Sequence, residues 1–448
     1  MKNFRVQPCD RLQGKVVVPG DKSIGHRSLI FASLAEGRSH ITGLSGGLDN
    51  LATAEACGAM GVEIELARTE AWVQGVGLRG LRLPERSIDC GNSGTTMRLL
   101  TGLLSAQHFG LRLSGDESLS RRPMGRVVTP LRARGAHIKG VTGAKEGEHY
   151  PPISIAPLVQ GESLIGLEYE MPIASAQVKS ALLLSGLYAS GPTAIQEPVI
   201  SRDHTERMML ALGVPLQTLG AMCVLDPTGW EGRWDPFDWA VPGDISSAAF
   251  LLAAAQLVPG SEILAQGVGV NPTRTGLLDL VRIMGTRVGV IPKGDGAGHE
   301  PTADLEFRHQ PIRGGQVGGE LLVRMIDEVP ALCALAAGCS ERVEIHDAQE
   351  LRVKESDRLS AMANVLSEFG VACREKPDGL IIEGGRPLRA ARVNSLGDHR
   401  VAMAATILAL RGDDESVIED VGCVDTSVPG FAEVLGSLGA QIEVEEAP

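Results

Sequence analysis

Aromatic side chains are scarce, with four Trp, three Tyr and eight Phe in 448 residues. That scarcity excludes the stacking platforms on which single-stranded nucleic acid is held. Positive charge is also in deficit, 42 Lys and Arg against 55 Asp and Glu, for a formal net charge of -13. A nucleic-acid sleeve or a basic membrane binder is thereby excluded, and any recognition of polyanions has to be local. No run of about 18 apolar residues exists. The opening MKNFRVQPCDRLQGK has neither an apolar signal core nor an Arg/Ser-rich transit pattern, so a soluble cytoplasmic protein is expected. The eight cysteines form no CxxC, and Cys333 and Cys339 have no companion His at metal-ligand spacing. Reduced, mostly buried thiols are expected rather than a zinc site. GNSGTT lacks the Lys of a Walker A loop, and no GxGxxG with its ribose-binding acid occurs, so nucleotide use has no support.

What the chain has in excess is glycine, 55 residues, and the glycines carry a pattern. Six segments read as a helix that stops at a Gly and runs into a strand, among them ATAEACGAMGVEIEL, LLDLVRIMGTRVGVI and FAEVLGSLGAQIEV. Their terminal glycines are Gly61, Gly135, Gly213, Gly285, Gly370 and Gly439, at intervals of 69 to 85 residues. A Gly there supplies a left-handed C-terminal cap. A second family of segments opens with Ser or Asp and then turns small and apolar nearly all round. They begin at Ser23, Ser93, Ser175, Asp244, Asp327 and Asp398. These read as buried helices with side-chain caps, separated by short strands such as HITGL, LRLSG, AIQEP, SEILAQ, RVEIHD and SVIEDV. VPGDKS at Val18 recurs as VPGDIS at Val241, an offset close to half the chain. Three units per half follow. The expected domains are 21-241 and 242-448, with 1-20 joining the latter as a strand over Phe4 to Val18, and hinge crossings near Gly20 and Gly243.

The unusual polar residues cluster at the starts of the buried helices, where free N–H groups and the positive dipole end favour anions. Lys22, Ser23 and Arg27 stand at the first; Asn92, Ser93, Gly94, Thr95 and Arg98 at the second; Ser175 and Gln177 at the third. Asp327 and Glu328 stand at the fifth, and Asp398, His399 and Arg400 at the sixth. Singly, each reads as a cap or a solvated charge; in register with the repeat, the set reads as a site. SLSRRPMGR adds Arg121, Arg122 and Arg126. ELRVKESDRL adds Lys354, Glu355 and Arg358, and helical spacing would set Lys354 and Arg358 on one face. The bland alternative for that stretch is an exposed face paired with Glu355 and Asp357.

DKSIGHR, GNSGTTMRLL, RRPMGR, SAQVKSALLL, SRDHTER, MIDEVPAL, LRVKESDRL and GDHRVAMA, in this order from residue 21 to 403, resemble the motifs of the 5-enolpyruvylshikimate-3-phosphate synthase family. The resemblance implies an α/β fold: two similar domains, each of three βαβαββ repeats in pseudo-threefold arrangement (an inside-out α/β barrel), with a cleft between domains. It implies transfer of the enolpyruvyl group of phosphoenolpyruvate to the 5-hydroxyl of shikimate 3-phosphate, with release of phosphate. It implies no metal, no organic cofactor, no nucleic-acid or membrane partner, and a monomer. Carried over motif by motif, Lys22, Ser23, Arg27, Ser175, Gln177, Arg202, Asp327 and Lys354 would hold shikimate 3-phosphate. Lys22, Asn92, Gly94, Thr95, Arg122, Gln177, Arg358 and Arg400 would hold phosphoenolpyruvate. Asp327, Glu355 and Lys22 would move protons. Two departures stand out: Ala176 replaces a second Ser in SAQ, and Thr426 occupies a position where many members carry Lys. Gly94 matches members with room for the inhibitor glyphosate, so sensitivity is expected. The sister family that transfers enolpyruvate to UDP-N-acetylglucosamine carries a loop Cys, and none lies between Cys90 and Cys223. RNA 3'-phosphate cyclase shares related repeats but needs a nucleotide site. A non-catalytic metabolite sensor would not need Asp327 and Glu355.

Overall fold

The computed structural model describes residues 2–144 and 147–446. The chain forms two compact units. The first holds the chain up to Asp21, then Pro242–Gly294 and the chain from Pro301; the second holds Lys22–Val241 and Asp295–Glu300.

Among the described residues, each unit contains three four-stranded sheets of one design. In the second unit, Ile88–Asp89 pairs in parallel with Leu111–Ser114, which pairs antiparallel with His149–Ile155, which in turn pairs antiparallel with Ile138–Thr142. Parallel neighbours cannot be joined by a tight turn, and the buried helix Gly94–Leu104 supplies the crossover between them. The sheet of Leu167–Glu170, Thr193–Gln196, Met222–Leu225 and Leu216–Leu219 repeats that order around the helix Ala176–Gly186. The third sheet takes its parallel edge strand, Asp238–Ala240, from the far end of the unit and pairs it with Glu36–Thr42.

The first unit is completed in the same way by the N-terminus. One continuous strand over Phe4 to Val18 does not form. Lys2–Val6 lies between Ser416–Glu419 and Ile442–Glu446, whereas Gln13–Val17 pairs in parallel with Glu262–Gly269 in another sheet. Pro8, with no N–H to donate, ends the first ladder. The repeated VPGD turns face each other: Asp21 N donates to Pro242 O at 2.7 Å, Asp244 N to Pro19 O at 2.9 Å, and Gly20 bridges Gly243.

The crossover helices are buried along nearly their whole length, and every residue of Ile245–Leu257 is buried. Small residues permit this. A Cβ at Gly102 would stand 2.2 Å from the Ala181 carbonyl oxygen on the neighbouring helix, so these backbones pack at a distance only glycine allows. The six helix-ending glycines all adopt positive φ, from 71° at Gly213 to 111° at Gly439. After each, the next N–H reaches back to the last turn, as in Val214 N to Met209 O at 2.9 Å and Val371 N to Leu366 O at 2.9 Å, the Schellman arrangement. Asp295–Glu300, although flanked by strands of the first unit, belongs to the second. Ala297 joins that unit's core, and Glu300 Oε1 lies 2.6 Å from His204 Nδ1. All eight cysteines are free thiols. No helix among the described residues is long and apolar enough to cross a membrane.

A Cβ at Gly213 meets nothing within 4 Å, so Gly213→Ala isolates backbone strain. It is expected to cost about 1 kcal/mol. Gly102→Ala is expected to cost several times more because the clash adds to it. Thermal melting of the two variants checks the order.

Candidate active site

In the second unit the helix Lys22–Leu34 begins at Lys22, so Ser23 lies in its first turn and is not the cap. Lys22 Nζ is 2.9 Å from Asp49 Oδ2, and Asn50 Nδ2 donates to the Lys22 carbonyl at 3.0 Å. Arg27 is buried. It donates from Nε to Thr205 Oγ1 at 2.6 Å, from Nη2 to Ser180 Oγ at 2.7 Å and from Nη1 to the Ser23 carbonyl at 2.8 Å. Arg27 thus ties its own helix to Ala176–Gly186 and His204–Ala211.

Ser93 caps Gly94–Leu104, and Ser175 caps Ala176–Gly186. Between these two helix starts runs a chain of neutral and charged donors: Arg98 Nη1 to Gln177 Oε1 at 2.8 Å, and Gln177 Nε2 to Thr95 Oγ1 at 2.8 Å. Arg122 Nη2 donates to Asn92 Oδ1 at 2.6 Å, and Asn92 Nδ2 to Asp116 Oδ2 at 2.6 Å. Gly94 sits between both guanidinium groups, since a Cβ there would stand 2.7 Å from Arg98 Nη1 and 3.4 Å from Arg122 Nη1. Of the adjacent arginines in RRPMGR, Arg122 is buried, whereas Arg121 is exposed and pairs with Glu117 one helical turn away. Arg202 is half-buried, next to Ser201, whose N–H and hydroxyl bind the buried Glu197. Glu197 Oε2 in turn lies 2.6 Å from Lys179 Nζ, which also meets Glu206 Oε1 at 2.6 Å. Sequence reasoning left that triad out, although Lys179 stands one turn after Ser175. Asp203, His204 and Glu300 offer ligand atoms within 4.8 Å of one another. Asp203 there pairs with Arg207 at 2.9 Å.

In the first unit the assigned residues converge on Asp398 and Asp327. Asp398 is fully buried. Its carboxylate caps His399–Ala409 through Arg400 N at 2.9 Å and receives Arg358 Nε at 2.8 Å, Arg358 Nη2 at 3.2 Å and Ser356 Oγ at 3.0 Å. Arg358 Nη2 also donates to Glu355 Oε2 at 2.7 Å. Burial opposes the charge on Arg358, but Asp398, Glu355 and Asp327 more than restore it, so its pKa stays above the ordinary arginine value. Asp327 Oδ1 lies 3.5 Å from both Lys354 Nζ and Arg358 Nη1, and Arg400 Nη1 donates to the Asp327 carbonyl at 2.6 Å.

Two local expectations are corrected. Lys354 and Arg358 do not share a helical face: the helix Arg358–Glu368 starts only at Arg358, because Asp357 takes the N-cap position and accepts from Ser360 N. The two cations meet at Asp327 instead. Nor is Asp327 a cap; it lies in the 3-10 turn Ile326–Glu328, and Val329–Ala336 follows with no side-chain cap. At the departures from the motif pattern, Thr426 Oγ1 donates to Cys423 O at 2.7 Å within its own turn, and Ala176 is the first residue of its helix.

The sequence profile of the EPSP synthase family, described as EPSP synthase (3-phosphoshikimate 1-carboxyvinyltransferase), matches residues 6–435. Among curated proteins, the 3-phosphoshikimate 1-carboxyvinyltransferase of Citrifermentans bemidjiense is 47% identical over 437 residues, covering 97% of this chain and 99% of its own. That of Geobacter metallireducens is 45% identical over 442 residues, covering 98% of this chain and 100% of its own. Among solved structures, EPSP synthase from Acinetobacter baumannii superimposes with a TM-score of 0.86 at 41% identity, covering both chains completely.

Replacing Asp398 by Ala removes the two-point, fully buried partner of the Arg358 guanidinium and leaves it only the single contacts to Glu355 and Asp327. The expected loss is about 3–5 kcal/mol, read by denaturant unfolding; a loss below about 1 kcal/mol would show that water reaches the pair.

Proposed function

The chain belongs to the EPSP synthase (3-phosphoshikimate 1-carboxyvinyltransferase) family, and we propose that the two groups of residues described above carry out that family's reaction. The enzyme is a transferase of the shikimate pathway that moves the enolpyruvyl group of phosphoenolpyruvate to the 5-hydroxyl of shikimate 3-phosphate. Its substrates together bring about six negative charges at neutral pH. An acidic chain needs local concentrations of cations to bind them, and the residues assigned to supply these are Lys22 and Arg122 in the second unit and Lys354, Arg358 and Arg400 in the first.

Shikimate 3-phosphate is assigned to Lys22, Ser23, Arg27, Ser175, Gln177, Arg202, Asp327 and Lys354. Phosphoenolpyruvate is assigned to Lys22, Asn92, Gly94, Thr95, Arg122, Gln177, Arg358 and Arg400. Arg27 also holds the Ser23 main chain, since its Nη1 donates to the Ser23 carbonyl at 2.8 Å. In the addition step the 5-hydroxyl oxygen bonds to C2 of phosphoenolpyruvate as its proton passes to Asp327, and a proton from Glu355 or Lys22 reaches C3. In the elimination step a proton leaves C3 for the same Glu355 or Lys22, the electron pair of that C–H bond forms the C2–C3 double bond, the bond from C2 to the phosphate oxygen breaks, and phosphate departs. The cations stabilise the negative charge of the tetrahedral intermediate and of the leaving group. The observation that carries this reading is the meeting of Asp327 with Lys354 and Arg358 at 3.5 Å, while the same Arg358 holds Glu355 at 2.7 Å. Acid, base and anion-binding cations thus occupy one cluster. Action as a monomer is what the family resemblance implies, and eight free thiols support a reducing cytoplasm.

Phosphate release from phosphoenolpyruvate is expected with shikimate 3-phosphate, to persist in excess chelator, and to be absent with UDP-N-acetylglucosamine. Asp327→Ala should lower turnover by about 10²–10⁴-fold. Release with the UDP-sugar alone would overturn the substrate assignment, and tight binding of either ligand without release would point to a sensor. Gly94→Ala displaces the Arg98 guanidinium and should raise the KM for phosphoenolpyruvate while relieving inhibition by glyphosate. Equal inhibition of both proteins would remove Gly94 from that subsite.

A further inference from the structure

The repeated VPGD turns end in two carboxylates, Asp21 and Asp244, to which the reaction assigns no role. Both converge on one guanidinium. Arg274 Nη1 lies 3.0 Å from Asp21 Oδ2, and Arg274 Nη2 lies 3.4 Å from Asp244 Oδ1. The same Nη2 donates to Ser246 Oγ at 2.7 Å and stands 3.4 Å from Glu328 Oε1, the oxygen to which Ser246 Oγ also donates. Arg274, Asp21 and Glu328 are each less than 5% exposed at the side chain. An Asx turn presents Arg274: Asn271 Oδ1 accepts from Thr273 N at 2.9 Å, and Arg274 N donates to Asn271 O at 2.8 Å. Burial opposes the charge on Arg274, yet Asp21, Glu328 and Asp244 hold it firmly protonated. Asp244 is pushed up by burial and then by the neighbouring Asp21.

Glu328 directly follows Asp327 in the 3-10 turn Ile326–Glu328. On one side of this turn Arg274 and Ser246 grip the Glu328 carboxylate; on the other, Arg400 grips the Asp327 carbonyl at 2.6 Å. With its main chain held from both sides, Asp327 has its carboxylate directed to Lys354 and Arg358. We infer that Arg274 is a positioning residue for Asp327, acting through Glu328 and Ser246, and that Asp21 and Asp244 bind the same guanidinium to the repeated turns at which the chain leaves the first unit after Asp21 and re-enters it at Pro242. The inference rests on the assignment of Asp327 to proton transfer. A displacement of about 1 Å in a reacting group can cost about 10²-fold in rate. Lysine, a single point charge on a flexible stem, cannot reproduce a fork that serves three carboxylates and a hydroxyl.

The test compares the wild-type enzyme with Arg274→Lys, Glu328→Gln, Asp327→Asn and the Arg274→Lys/Asp327→Asn double variant, using both substrates and with thermal melting of each protein. Arg274→Lys and Glu328→Gln are expected to lower kcat by about tenfold or more with the KM for phosphoenolpyruvate within about twofold of wild type. In the Asp327→Asn background, Arg274→Lys should cause no further loss of turnover, because the two residues act as one unit. Wild-type kcat in a folded Arg274→Lys enzyme overturns the inference. So does an equal further loss on top of Asp327→Asn, which marks general loosening. Full activity of Asp327→Asn overturns the assignment of Asp327 itself and this inference with it, whereas an inactive Asp327→Asn beside a normal Arg274→Lys overturns only the inference.

Discussion

A buried fork between Arg358 and Asp398 organises the chemistry of the first unit. Asp398 serves two masters at once: it satisfies the free N–H at the start of His399–Ala409 and accepts two donors from Arg358. A guanidinium so deeply buried would be prohibitively unstable without that partner. Once held, its remaining reach extends to Glu355 and Asp327. The helix cap, the ion pair and the placement of two proton-transfer candidates are therefore one interaction seen from different residues.

The second unit solves the same problem with different chemistry. Its three crossover helices also start side by side, but their starts are laced by hydroxyl and amide bonds, from His26 to Thr53 at 2.6 Å and on to Thr96 at 2.7 Å, and from Thr95 to Gln177 and Arg98. Lys22 meets the Asp49 carboxylate here, whereas Arg98 donates to the Gln177 amide and Arg27 to the hydroxyls of Thr205 and Ser180. A guanidinium bound to a neutral amide retains its net charge for an incoming anion, whereas one bound to carboxylates has much of it cancelled. Both units carry residues proposed for anion binding and for proton transfer, with Lys22 and Arg122 in the second and Asp327, Lys354, Glu355, Arg358 and Arg400 in the first.

Both arrangements depend on the small-residue helices. Because Gly102 lets its helix approach Ala181 to within backbone contact, the helix starts lie close enough for short polar side chains to bridge them. A larger residue in these helices would act at a distance, by separating the donors at their ends.

The periodicity of the chain, its terminal glycines and the buried crossover helices were legible in the sequence because they follow from local conformational preference: a positive φ after a helix selects Gly at Gly61 or Gly370 wherever the helix ends up. The candidate residues at helix starts were legible for a related reason, since capping and anion binding draw on the same few residue types. Other features depended on contacts between distant segments. The sequence could not distinguish Arg121 from Arg122, because only the packed structure turns one inward to Asn92 and leaves the other with Glu117. Nor could it join Arg274 to Asp21 and Glu328, or replace a helical face by the meeting of Lys354 and Arg358 at Asp327. Charge placement in a buried cluster is set by which carboxylates the folded chain brings within about 3–4 Å, and linear spacing carries no information about that.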